Sequence, residues 1–185
     1  ATIREVMEAD GGNFDLVELI PSTVTDEVSA LESSSVDAIW IFYGWAGMAC
    51  ETAGLDIDYF AFADIDPVFD YYTPVIIGND TFLAEQSDTA KRFVEALSKG
   101  YTYAAEHPKE CADILMKYAP ELKANTALVY ASQEYLSKEY IADAARWGEL
   151  DADRWASFYN WLNENHLLAE DIDPQHGFTN AYLPE

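Results

Sequence analysis

The sequence predicts an α/β fold with a mainly parallel sheet in its first part and a helical C-terminal region. Three observations carry this. Short apolar runs alternate with helix signals up to about residue 80, residues 36–43 form a nearly unbroken apolar run, and almost everything after Asn79 has the helical period. A parallel strand covered on both faces reads as a continuous hydrophobic run, and strands alternating with helices build βαβ units.

Taken in order, residues 15–20 form a short apolar-rich strand closed by Pro21. Ser22 or Thr23 can then cap a helix that turns Val24, Val28 and Leu31 inward. The strand 36–43 is broken by Gly44, and 45–53 reads as a helix ended by Gly54. Strands at 57–63 and 71–79 follow. Beyond them Ser87 caps a helix with Phe93, Val94, Leu97 and Tyr101 on one face. Pro108 opens the next, with Cys111, Ile114, Leu115 and Tyr118 at i, i+3, i+4 and i+7. Asn125 opens a third with Leu128, Tyr135 and Leu136. Asp151 caps a fourth whose stripe is Trp155, Phe158, Tyr159 and Leu162. Aromatic stripes at this spacing are expected to be core packing.

The 185 residues are half apolar and 14% aromatic, enough for a sizeable core. Against 34 acidic groups stand 10 basic ones, a formal net charge of -24. Such a surface repels phosphate backbones, so no nucleic-acid partner is expected. Residues 5–90 hold 18 acidic and no basic side chains. Sulfonates, phosphates and nitrate sit on Arg forks or helix N-termini, so that region suits a neutral or weakly basic ligand. Cys50 and Cys111 are too few for a cysteine metal site, and His107, His166 and His176 lack ligand spacing. No metal and no cofactor is expected. Nucleophile-elbow, dinucleotide, phosphate-loop and zinc-protease motifs are missing too, which favours binding over catalysis.

Ligands of open α/β sheets bind beyond the carboxyl ends of the strands. Three places qualify. At Tyr43, Gly44 and Trp45 a strand delivers two aromatics and a glycine into a helix start, either as a slot for a planar heterocycle or as core aromatics at a tight turn. Asp64, with Asp66, can accept hydrogen bonds from a ligand amino group or remain a solvated loop carboxylate. Tyr71 and Tyr72 either border a cleft or end an amphipathic strand.

The block Val36-Asp37-Ala38-Ile39-Trp40-Ile41-Phe42-Tyr43-Gly44-Trp45, the run Tyr71-Tyr72-Thr73-Pro74-Val75-Ile76-Ile77 and the ending Gly177-Phe178-Thr179-Asn180 together resemble one family. It is that of the solute-binding components of ABC importers for the pyrimidine precursor of thiamine. That family is similar in fold to the thiamine-pyrimidine synthases and to the nitrate and taurine binders. The resemblance covers essentially the whole chain, and 36–45 is its most specific piece.

The resemblance implies a type II periplasmic-binding-protein-like fold, parts of two lobes with the ligand closed between them. The chain would be the C-terminal portion, 1–74 within lobe 2 and 75–185 returning into lobe 1. It further implies an aminopyrimidine ligand on Tyr43, Gly44 and Trp45 with Asp64 near the cleft, a membrane permease as partner, and an extracytoplasmic location, periplasmic or lipid-anchored. Relatives often carry an acidic residue after that Trp, where this chain has Ala46; Glu51 lies further along the helix. The synthase branch needs a cysteine cluster for iron, which Cys50 and Cys111 do not form. Two alternatives stay open: a truncated, non-binding fragment that self-associates as a homo-oligomer, and a binder of a riboflavin-like heterocycle or a sulfonate.

Overall fold

The computed structural model describes residues 1–21 and 26–184. In chain order its helices are α1 Thr2–Ala9, α2 Glu27–Glu32, α3 Met48–Ala53, α4 Phe62–Ile65, α5 Asp80–Glu85, α6 Ser87–Glu106, α7 Pro108–Tyr118, α8 Thr126–Glu139 and α9 Ala152–Glu164. Single turns of 3₁₀ helix lie at Phe14–Leu16 and Pro67–Phe69, a longer one at Pro120–Asn125, and a π-helical turn at Tyr43–Gly47.

The chain divides into two compact units. The first comprises Ala1–Leu19, Tyr59–Val94 and Gly148–Glu185. Its core is Val6 of α1, Phe69 and Trp161 of α9, flanked by Phe62, Ile65, Val68, Tyr71, Phe158 and Leu162. Phe69 meets the Trp161 ring edge-on, centroids 5.2 Å apart, the geometry that the ring quadrupoles favour. Local chemistry sets the elements up. Asp66 accepts from the Val68 amide ahead of Pro67, and Asp151 accepts from the Arg154 amide to start α9.

The second unit comprises Ile20–Asp58 and Glu95–Trp147. Ala112 and Met116 of α7 bury against Val129 of α8, with Leu122 and Tyr130 beside them. The Tyr130 hydroxyl donates to the Asp113 carboxylate, which ties α8 to α7. Tyr101 stacks on Trp147, ring centroids 4.7 Å apart.

Several sequence expectations need correction. The segments 36–42, 57–60 and 71–79 are irregular or extended, as at Phe42 (φ −95°, ψ 110°) and Asn79 (φ −79°, ψ 131°), yet no strand ladder forms among the described residues. Residues 15–20 begin in a 3₁₀ turn, and 62–63 belong to α4. Apolar and β-branched composition favours extended backbone locally, but a parallel ladder also needs a neighbouring strand. The parallel sheet predicted from these runs is not shown among the described residues. Without a ladder several of their side chains stay exposed, Phe42 at 71% and Ile77 at 88%.

The stripe on α7 is rotated. Ala112 and Met116, also four apart, face the core, while Ile114, Leu115 and Tyr118 (78% exposed) face out. Periodicity specifies an apolar face, and α7 carries two of them; the smaller one packs on α8. Likewise Phe93 of α6 is exposed while Ala90 is buried. Ser87 is the first residue inside α6, whose start takes the Gln86 carbonyl as acceptor. The cap expected at Ser22 or Thr23, and Val24, lie outside the described residues; α2 starts after Asp26, whose side chain accepts from the Ser29 amide. The helix read at 45–53 is present as the π turn followed by α3, and Gly54 ends it in the left-handed region at φ +78°.

Candidate functional site

The predicted site residues fall in both units: Tyr43, Gly44 and Trp45 in the second, Asp64, Tyr71 and Tyr72 in the first. Each group has its own surroundings.

Tyr43–Gly47 closes as a π turn because two glycines admit close neighbours. A Cβ on Gly44 would stand 2.6 Å from the Leu136 side chain of α8, and one on Gly47 would strike the Tyr43 ring. The Tyr43 ring leans on Tyr135 at 5.2 Å, and its hydroxyl donates to the Glu51 carboxylate of α3. Gly44 and Ala46 are buried, whereas the Trp45 indole is 41% exposed. The turn thus presents an outward indole beside a half-buried tyrosine whose polar tip is engaged by a carboxylate. Glu51, which spacing alone left unassigned, is brought to Tyr43 by about two turns of helix.

In the first unit Asp64 sits exposed in the first turn of α4. Asp66 is committed to the Val68 amide. Tyr71 stacks on Phe158 of α9, ring centroids 4.3 Å apart. Tyr72 is held from two sides. Its hydroxyl accepts from the Asp151 amide at 2.8 Å, and the Arg154 guanidinium lies 4.3 Å above its ring. Arg154 in turn donates to the Asp70 carbonyl at 2.8 Å and pairs with the Asp70 carboxylate. Together Tyr71, Tyr72, Thr73, Trp155, Phe158 and Tyr159 line a hollow of about 200 Å³. A wider groove of about 260 Å³ is lined only by the consecutive residues Ala84–Thr89 where α5 meets α6, and it offers no ring surface.

Trp155, Phe158 and Tyr159 were expected to serve as packing alone. Phe158 does pack on the core cluster, yet all three also face the hollow with Tyr71 and Tyr72. The signal available in the sequence was polar tips: Trp155 and Tyr159, one turn apart, each carry one, and a fully buried stripe would have to satisfy both.

Among the described residues, no three His, Cys, Asp or Glu side chains come together as a set that could hold a metal ion. No helix among them is long and apolar enough to cross a membrane. Burial pushes the Cys50 thiol above its usual range, helped by Glu27 and Asp26.

Comparison with known proteins gives this geometry a family. The model of the NMT1/THI5 like family matches residues 1–111, and the chain belongs to that family, whose fold is periplasmic-binding-protein-like. The chain is 23% identical over 181 residues to the formylaminopyrimidine-binding protein of Halalkalibacterium halodurans, covering 96% of this chain and 54% of that protein. It is 23% identical over 136 residues to the riboflavin-binding protein RibY of Chloroflexus aurantiacus, covering 71% of this chain and 38% of that one. The chain thus spans about half the length, or less, of these relatives. Both relatives are named as binding proteins.

Proposed function

We propose that this chain belongs to the substrate-binding component of an ABC importer, outside the cytoplasmic membrane, and captures a planar aminopyrimidine for a membrane permease without covalent chemistry. The observation that carries the reading is the Tyr43–Gly47 turn, where the exposed Trp45 indole stands beside a tyrosine already joined to the Glu51 carboxylate. An indole face suits a flat ring, and a carboxylate suits an exocyclic amino group. Both belong to residues 5–90, which carry no Lys or Arg to attract a sulfonate. The names of the relatives support a ring-shaped ligand, and the parallel sheet expected of the family belongs to the same proposal.

Calorimetric titration with hydroxymethyl and formylaminomethyl aminopyrimidines, with taurine as control, tests it. Saturable binding of a pyrimidine and none of taurine is expected, with Trp45→Ala weakening it at least tenfold. Binding of taurine alone would overturn the reading, and an unchanged affinity in Trp45→Ala would remove Trp45 from the site.

A second reading, self-association into a homo-oligomer, is favoured by the exposed apolar run Val75, Ile76 and Ile77. Unpaired extended segments recruit other chains. Light scattering that gives the mass of one chain at all concentrations would count against it.

A further inference from the structure

We propose that the hollow of the first unit is a stacking site for a single six-membered nitrogen heterocycle, with Trp155 as its ring platform and Asn180 as a positioning residue. The ligand class rests on the binding reading above; the site and its residues do not.

The chemistry of the lining selects the ligand. Five of the six lining residues are aromatic, and rings stack on rings whatever their substituents. The volume, about 200 Å³, lies below the roughly 300–1,000 Å³ of sites that hold drug-sized ligands. It suits one ring and not a fused tricycle. An anion is disfavoured, because Arg154, the cation at this place, is already paired with Asp70. Thr73 and three tyrosines bring polar groups to the lining. The Tyr72 oxygen accepts from Asp151, which leaves its own proton to donate.

The platform is held by residues of the ending, His176, Gly177 and Phe178. The Trp155 indole N–H donates to the His176 carbonyl at 3.1 Å, and Phe178 leans on the same ring at 5.2 Å. A Cβ on Gly177 would stand 3.4 Å from the indole. Asn180 grips Leu150 with both ends of its amide, donating to the Leu150 carbonyl at 2.8 Å and accepting from its amide at 3.0 Å. Leu150 precedes Asp151, whose amide holds Tyr72 and whose carboxylate caps α9 three residues before Arg154. One chain of hydrogen bonds thus runs from Asn180 through Leu150 and Asp151 to Tyr72, and α9 carries Trp155 from the same cap. Side chains locked in this way need little ordering when a ring arrives.

The test is calorimetric titration of the full chain with 4-amino-5-hydroxymethyl-2-methylpyrimidine, with nicotinamide and riboflavin as further probes. Trp155→Leu is expected to weaken pyrimidine binding in this hollow at least tenfold and to leave the separate binding at the Tyr43–Gly47 turn unchanged, while Trp155→Phe, which keeps a flat ring, stays within about threefold. Asn180→Ala should weaken binding severalfold, and Tyr72→Phe, which breaks the tie to Asp151, should do the same. In the unsubstituted chain, a nuclear Overhauser contact between the pyrimidine methyl and the Trp155 indole is expected, which keeps the question answerable if a variant fails to fold.

Pyrimidine binding that is indifferent to Trp155→Leu, with no Trp155 contact, would overturn this site and leave the proposed function standing. Nicotinamide binding that depends on Trp155, with no pyrimidine binding, would uphold the site and overturn the proposed ligand. Binding of riboflavin alone, or of none of the three, would overturn the single-ring site.

Discussion

Gly47 is the residue at which the smallest change has the largest local consequence. A methyl there would come within 2.7 Å of three Tyr43 ring carbons, so Gly47→Ala must push the ring aside and loosen its bond to Glu51. Overpacking of this kind typically costs about 1–3 kcal/mol, and a urea titration should show the midpoint fall accordingly. The thiols give a second check. Burial raises both, Cys50 also by Glu27 and Asp26 and Cys111 also by Glu110. Under native conditions a disulfide reagent should label Cys111 first, since Cys50 is fully buried, and label both more slowly than free cysteine. Prompt labelling of Cys50 would contradict its burial. Residue identity alone hinted at Tyr43 and Trp45 as a pair. It could not show that Glu51 closes on the Tyr43 hydroxyl, because that depends on how the π turn feeds α3.

At the scale of elements, α7 and α8 are joined by polar as well as apolar contacts, and the polar ones make their union sensitive to alkali. The carboxylate of Asp113, hydrogen-bonded to Tyr130, holds the Tyr130 phenol above its ordinary range, and Glu110 does the same to Tyr103. A raised phenol contributes stability that is present below the unfolded value of about 10 and is lost as pH rises through the folded one. Thermal melts at increasing alkaline pH should therefore fall, and Tyr130→Phe should flatten that fall. The helix starts were the most legible elements: Asp151 before α9 and Pro108 at the head of α7 stand where cap chemistry places them. The inward face of α7 was not legible. Two apolar stripes compete on one helix, and only the partner α8 selects Ala112 and Met116.

For the whole molecule, the net charge of -24 sets like charges against one another throughout. Screening lengths shrink from about 10 Å at 0.1 M salt to about 3 Å at 1 M, so the melting temperature should rise across that range, as circular dichroism would show. The same screening removes the repulsion that keeps exposed apolar segments of separate chains apart. Light scattering should then report a larger mass at high salt than at low salt, and an unchanged mass would argue against self-association through the 75–77 run.

Composition and local spacing by themselves determined the acidic, cation-poor character of the first ninety residues, the helical period after Asn79 and the aromatic turn at Tyr43–Gly47. These are short-range properties, carried by residue type and by neighbours a few positions apart. Tertiary structure alone decided which face of α7 is buried, and that Trp155, Phe158 and Tyr159 share a hollow with Tyr71 and Tyr72. Each of those rests on contacts between segments tens of residues apart, such as the bond from Asp151 to Tyr72 and that from Asn180 to Leu150. Periodicity carries no information about a partner so distant in the chain.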